Sequence, residues 1–240
     1  MIFKKQTVVA HRGAKGLVPH ENTIEAFQKA IDVKADCIEI DIRKTKDNKI
    51  IVFHDSSFQD KEIKDLNYAE LLELVGFKVP TLEETLSFIK GKIHIDIEFK
   101  ESGYVEEALT IIKQYLTNEE FYIRSFNDDV IVDAKTYDEN IVCALLLGRD
   151  IKKKVIRTRL SELFPGRRIK KSGCDFISPH YRLLKFGFMF RMRLRKQQVC
   201  VWTVNDEEIM KKMLFKKKVH AIVTDYPNLA LELLKNKNSW

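Results

Sequence analysis

Short hydrophobic runs recur along the chain at 6–10, 37–42, 93–99, 121–125, 141–146, 174–178, 199–203 and 221–224. Each is either wholly apolar or alternates apolar with polar residues, the patterns of strands buried on two faces or on one. Amphipathic stretches at 23–34, 81–90, 104–117, 127–136, 150–164, 182–193, 206–215 and 227–236 separate the runs and read as helices. Thr81 and Glu84 in "TLEE" form a capping box, and Pro227 suits a first helical turn. Strict alternation predicts an α/β chain in which eight strand–helix units close a single (β/α)8 barrel. An open doubly wound sheet using six of the units is the competing architecture.

A ninth strand-like run, "KIIVFHD" at 49–55, follows the second strand after only "KTKDNK". Parallel neighbours need about a dozen connecting residues, so this run predicts a β-hairpin extension after the second strand. With Asp47 and Asn48 as the central residues of a two-residue turn, Thr45 pairs with Ile50, and the register continues until Asp41 meets His54.

The 240 residues fit one domain spanning 1–240, and no linker-like or low-complexity tract divides them. No stretch has the length of a membrane span or of a signal-peptide core. Cys37, Cys143, Cys174 and Cys200 lie far apart in or beside apolar runs, which suggests reduced core thiols and a cytoplasmic protein. The net charge of +7 is uneven: residues 151–198 hold fifteen Lys and Arg against Glu162 and Asp175. Such a field attracts anionic lipid, nucleic acid or a phosphorylated small molecule, and charge alone specifies none of them.

Chemistry concentrates where strands end. In "DCIEIDIRKT" (36–45) Glu39 and Asp41 share one strand face and Ile38, Ile40 and Ile42 the other. "HIDIEFK" (94–100) repeats the pattern, bringing Glu98 and Lys100 to the rim. Glu39, Asp41 and Glu98 form an all-oxygen set suited to Mg²⁺ or Ca²⁺; a salt-bridge network with Arg12, Arg43 and Lys100 is the alternative. His11 and Arg12 leave the first strand at the same rim, and the hairpin returns His54 nearby. Two imidazoles, an arginine fork for phosphate and a metal fit phosphodiester cleavage by acid–base chemistry. Ser125 and Phe126 at the fourth strand's end, His180 after the sixth and Trp202 in the seventh are candidates for the pocket wall. His94 and His220 read as structural. No glycine-rich phosphate cradle and no zinc motif is present. The stretch 182–199 mixes Lys/Arg with large apolar residues and admits peripheral contact with an anionic membrane, although an outer barrel helix is the preferred reading. No specific nucleic acid is predicted, and the oligomeric state is left open.

The segments "AHRG" (10–13), "ENTIEAF" (21–27), "IEIDIRKTKDNKIIVFHD" (38–55), "VPTLEETL" (79–86), "IDIEFK" (95–100), "VWTVND" (201–206) and "AIVTDYP" (221–227) resemble, in order, those of bacterial glycerophosphodiester phosphodiesterases. The resemblance implies a TIM barrel in which Glu39, Asp41 and Glu98 hold a divalent metal. It implies that His11 and His54 serve as acid and base, that Arg12 contacts phosphate and that Lys100 lies in the polar site. Glu21, from the family's Pro-Glu-Asn-Thr motif, supports the first loop. The implied reaction is hydrolysis of deacylated glycerophosphodiesters to glycerol 3-phosphate and an alcohol. Two departures stand out: His20 lengthens the motif to "PHENT", and the segment between His54 and Pro80 is short, which implies a smaller cap and a more open site. Lysophospholipase D-like cleavage of acylated substrates is the alternative activity, and a non-enzymatic basic membrane or nucleic-acid binding module is a third reading.

Overall fold

The computed structural model describes residues 2–148 and 155–236. In chain order the strands are β1 (Thr7–Ala10), β2 (Cys37–Lys44), β3 (Ile50–Val52), β4 (Ser57–Phe58), β5 (Lys61–Glu62), β6 (His94–Phe99), β7 (Phe121–Ser125), β8 (Cys143–Leu147), β9 (Phe176–Pro179), β10 (Gln198–Val201) and β11 (Ala221–Thr224). Eight of them, β1, β2 and β6 to β11, run parallel in one sheet. The sheet closes because β1 has a neighbour on each side: Val9 lies opposite Cys37 of β2 and opposite Val223 of β11. This is the (β/α)8 barrel expected from the alternation, and it excludes the open sheet.

Alternation along the strands divides the apolar residues into two layers. Ile38, Ile40 and Ile42 point outward into the shell between strands and helices, together with Ile95, Ile97, Ile123 and Leu145. Val9, Cys37, Tyr122, Ala144, Phe176 and Cys200 fill the interior, where Phe3 closes the lower end. Phe3, Tyr122 and Phe176 meet edge to face, with centroids 5.1–6.2 Å apart, a geometry aromatic quadrupoles favour. All four cysteines are buried free thiols, as expected for core residues.

The helices are α1 (Ile24–Asp32), α2 (Tyr68–Val75), α3 (Leu82–Ile89), α4 (Val105–Tyr115), α5 (Asp128–Tyr137), α6 (Val155–Leu163), α7 (Gly166–Ser172), α8 (Phe188–Leu194), α9 (Glu207–Lys211) and α10 (Pro227–Lys235). The capping box before α3 is present: the Glu84 N–H donates to Thr81 Oγ1 at 3.1 Å, and the Thr81 N–H to Glu84 Oε2 at 2.8 Å. The stretch expected as one helix at 150–164 is helical only from Val155, and its first residues, 150–154, lie outside the described ones. Pro165 then starts a second helix, α7, that the hydrophobic pattern did not announce. The helix expected from residue 182 begins at Phe188, because Gly187 adopts a left-handed conformation (φ +70°) just before it. α9 continues into a π-helical turn at Lys212–Lys217.

The hairpin forms, but one residue out of the expected register. Ile42 pairs with Val52 and Lys44 with Ile50, and the Phe53 N–H, not that of His54, donates to the Asp41 carbonyl at 2.9 Å. The loop holds three residues, Lys46 to Asn48, closed by Thr45 N–H to Lys49 carbonyl at 2.9 Å. Asn48 takes the left-handed conformation at φ +62°, and the Thr45 hydroxyl donates to Asp47 at 2.6 Å. These side-chain bonds select a type I turn with a bulge over the two-residue turn. Beyond the hairpin, residues 55–78 form β4, β5 and α2 over a separate small core of Ile51, Phe53, Ile63, Leu66, Leu71 and Val79.

Candidate active site

β1 ends at Ala10, and the next three residues turn sharply across the mouth. The His11 N–H donates to the Thr224 carbonyl at 2.9 Å, which ties the turn to β11. Gly13 has φ +76°, and a Cβ there would lie 2.6 Å from Phe27 Cδ1 and 2.8 Å from the Ala26 carbonyl carbon. Only glycine lets this turn lie against α1. Arg12 is also left-handed, at φ +50°, a conformation that costs a non-glycine residue about 1–3 kcal/mol. In return, its N–H donates to Glu39 at 3.0 Å while its guanidinium bonds Glu21 at 2.6 Å and lies 3.3 Å from Asp41.

His11 is held in one orientation. Its Nδ1 lies 2.5 Å from Asp225 Oδ1, and its Nε2 accepts from Arg12 Nε at 3.2 Å. An ionised carboxylate can only accept, so Nδ1 carries the proton and the Nε2 lone pair is the one that accepts from Arg12. Asp225 is itself positioned by Asn205, whose Nδ2 donates to it at 2.6 Å. Burial lowers the His11 pKa, against the opposing pull of Asp225. His54 approaches from the other side, just past β3. Its carbonyl accepts two bonds from Arg43, at 2.9 and 2.7 Å, and its Nδ1 lies 2.7 Å from Asp55. Burial lowers this imidazole's pKa too, while Asp41 acts to raise it.

Glu39, Asp41 and Glu98 are all buried, and their oxygens lie within 4.8 Å of one another. Burial would raise Asp41, but Lys100 and Arg12 hold its pKa well below the ordinary range; Lys100 Nζ lies 3.1 Å away and Asn22 donates at 2.9 Å. Burial raises Glu98 despite Lys100 at 2.6 Å. Glu39 has no such close cation, and burial together with the charges of Asp41 and Glu98 pushes it up to about 8. Three clustered oxygen donors, one of them short of positive charge, fit a hard divalent cation.

His11, Arg12, Glu39, His54, Glu98 and Lys100 line one cavity of about 70 Å³, with Phe126 and Trp202 on its wall. The two rings meet edge to face at 5.5 Å, and Trp202 Nε1 donates to the Ser178 carbonyl at 2.7 Å. The cavity adjoins a polar hollow of about 590 Å³ that shares Glu98, Lys100 and Phe126 and adds Arg43, Asp128 and Arg168.

Other expected residues stand further back. Glu21 bridges Arg12 and Lys15, both at 2.6 Å, so it supports the turn. His180 packs behind Trp202, with centroids 5.1 Å apart. Ser125 does not reach the cavity: its buried hydroxyl donates to the Phe99 carbonyl at 2.9 Å and accepts from the Asn127 N–H. His20 stacks on Phe77 at 4.3 Å and ties the first loop to the cap without displacing Glu21. His220 accepts the Val199 N–H at 3.1 Å near the barrel's lower end, and His94 begins β6 there, consistent with structural roles. Sequence reasoning missed Asp225, Asn205 and Asn22. Asp225 had a signal in its position one residue past the last strand, beside the first.

A (β/α)8 barrel that gathers acids, imidazoles and cations at the C-terminal ends of its strands has the layout of a barrel enzyme acting on an anionic substrate. Residues 11–229 match the model of the Glycerophosphoryl diester phosphodiesterase family, so the chain belongs to that family and is a phosphodiester hydrolase. Among its relatives, the uncharacterized protein YqiK of Bacillus subtilis is 30% identical, over 96% of this chain and 99% of that one. A glycerophosphodiester phosphodiesterase of Caldanaerobacter subterraneus is 28% identical, over 96% and 98%. The crystal structure of a glycerophosphodiester phosphodiesterase from Thermotoga maritima superposes with a TM-score of 0.78 at 26% identity, covering 95% of this chain and 98% of that one. The fold is shared with an Oleispira antarctica phosphodiesterase in complex with its product sn-glycerol-3-phosphate, at a TM-score of 0.80 and 22% identity, covering 96% and 97%.

Proposed function

We propose that this enzyme hydrolyses glycerophosphodiesters to glycerol 3-phosphate and an alcohol, with His11 and His54 as its acid–base pair. The observation that carries the reading is the shared cavity: two imidazoles, each with Nδ1 on a carboxylate, border the same small space as Arg12, Lys100, Glu39 and Glu98, with Asp41 clustered beside these two acids. Fixing Nδ1 leaves Nε2 as the reacting nitrogen on both rings. One ring removes the proton of the nucleophile, either water or a glycerol hydroxyl whose cyclic phosphate water then opens, while the other protonates the leaving alkoxide. Arg12 and Lys100 bind phosphate oxygens, and Phe126 and Trp202 pack over the glycerol carbons.

Glu39, Asp41 and Glu98 would hold Mg²⁺ or Ca²⁺, which supplies positive charge to the phosphoryl oxygens. The adjoining polar hollow suits the head-group alcohol, which favours deacylated over acylated substrates. Four separate buried thiols suit a reducing compartment such as the cytoplasm. The test is chelation followed by readdition of Mg²⁺ or Ca²⁺, with glycerophosphodiesters and lysophospholipids as substrates and Glu39→Gln alongside. Activity is expected to vanish on chelation, return with one of the ions and favour deacylated substrates. Full turnover in chelator would overturn the metal site, and a preference for lysophospholipids would establish the lysophospholipase D reading instead.

A further inference from the structure

Positive charge and exposed apolar surface coincide on one side of the mouth. Residues 155–198 contain twelve Lys and Arg but only two acids, Glu162 and Asp175. Both acids are committed to internal bonds: Glu162 accepts from the Gly148 N–H at 2.8 Å and from Arg159 at 2.7 Å, and Asp175 from the Cys143 N–H and Lys135. Arg159 pairs with Glu162, and Arg168 and Lys171 pair with Asp128 and Asp129 of α5, whereas no acid is paired with Arg157 or Lys185 among the described residues.

α6 is polarised in the opposite sense to a normal surface helix. Its one acid, Glu162, is buried, while Val155, Ile156 and Leu160 are 46%, 79% and 54% exposed. Since Gly148 directly follows β8, the Glu162 bond ties α6 to the rim of the mouth. Beyond it, α8 packs Phe188, Met189 and Met192 onto the barrel, as an outer helix should, yet Phe190 and Leu194 on it and Phe186 just before it are 63–77% exposed. Arg191 joins the two elements, donating to the Leu163 carbonyl at 2.8 Å and to the Phe186 carbonyl, with its guanidinium 4.5 Å over the Phe164 ring. Arg191 thus links the end of α6 to the segment before α8, and exposed apolar side chains stand among cations on both elements, a combination that marks an interaction surface.

We propose that this rim docks on anionic phospholipid bilayers, with Ile156, Phe186 and Phe190 entering the headgroup boundary while Arg157 and Lys185 meet lipid phosphates. Exposed aliphatic Ile156 and Leu160 gain by entering hydrocarbon and gain little from a nucleic-acid backbone. A second copy of the chain pairing through the same surface would bring the two cation-rich surfaces together, which like charges oppose. Because α6 and the Phe186 segment sit at the rim, docking would bring the mouth close to the lipid surface.

The test is sedimentation of the full chain with phosphatidylglycerol–phosphatidylcholine vesicles or phosphatidylcholine vesicles, at low and high salt. Binding is expected to the anionic vesicles only and to fall with salt. Arg157→Gln and Lys185→Gln should each weaken it about fivefold, and the triple variant Ile156→Ser/Phe186→Ser/Phe190→Ser by more than about tenfold. Thermal unfolding verifies that the variants fold, so the result does not depend on the reaction assigned to the mouth. Absence of binding to anionic vesicles, or binding unaffected by the triple variant, overturns the proposal. So does a dimer in solution abolished by that variant, or tighter salt-sensitive binding to a DNA duplex than to vesicles.

Discussion

Lower in the barrel, Asp96 faces Arg124; both are buried, and the guanidinium spans the two carboxylate oxygens, with Nε donating at 2.6 Å. Nearer the mouth, Glu39, Asp41 and Glu98 share Lys100 and Arg12, and Arg12 is further divided with Glu21. The lower pair matches one acid to one base, although Arg124 also borders the cavity of the mouth. The upper cluster leaves Glu39 with the Arg12 N–H as its close partner and its pKa pushed up to about 8. A buried ion pair survives desolvation only when its partners match. The mismatch at the mouth is the feature on which the proposed cation and substrate sites rest.

The largest expected effect belongs to the mouth. His11→Ala and His54→Ala should each lower kcat by about 10²- to 10⁴-fold, measured with a soluble glycerophosphodiester, while the melting temperature stays close to that of the parent. A melting temperature that collapses would make the mouth as structural as the level below it, and the contrast would disappear. Arg124→Met should do the reverse. It strands the Asp96 charge in the barrel and should cost about 3–5 kcal/mol of stability by urea unfolding; restoring much of that loss with Asp96→Leu in the same chain would show that the pair, not its charge, is what the lower level needs. The smallest effect concerns His220. Burial, then Arg193, places its pKa below the ordinary 6.5, so the unfolded chain takes up its proton at a higher pH than the folded chain does. The contribution is complete above pH 6.5 and is lost as pH falls below it. Comparing urea midpoints of the parent and His220→Gln across that window should show a shallower acid decline in the variant.

What the sequence made legible was whatever depends on local period. Alternation from Ile38 to Ile42 separated the outward isoleucines from Glu39 and Asp41, and the eight-fold alternation indicated closure. Alternation also held a warning about Ser125: with Tyr122 and Arg124 facing in, the next residue faces out, toward the Phe99 carbonyl it bonds. Asp225 was hidden for a different reason. It reaches His11 only because β11 pairs with β1 across the whole length of the chain, so its one signal, its place just past the last strand, counts only once the barrel is taken as closed. The hairpin register turned on the Thr45–Asp47 bond and the left-handed Asn48, side-chain choices that hydrophobic spacing cannot distinguish. The apolar face of α6 inverts the usual rule, so periodicity could locate the helix without showing which side faces water.

Gln198 clamps the opening residues of the chain: its Oε1 accepts from the Ile2 and Phe3 N–H groups at 2.7 and 3.0 Å, and its Nε2 donates back to Phe3 at 3.0 Å. An affinity handle or surface tether attached ahead of Ile2 therefore departs from the end of the barrel opposite the mouth. An enzyme immobilised in that way would present its cavity and cationic rim to the solution, free to meet substrate or vesicles.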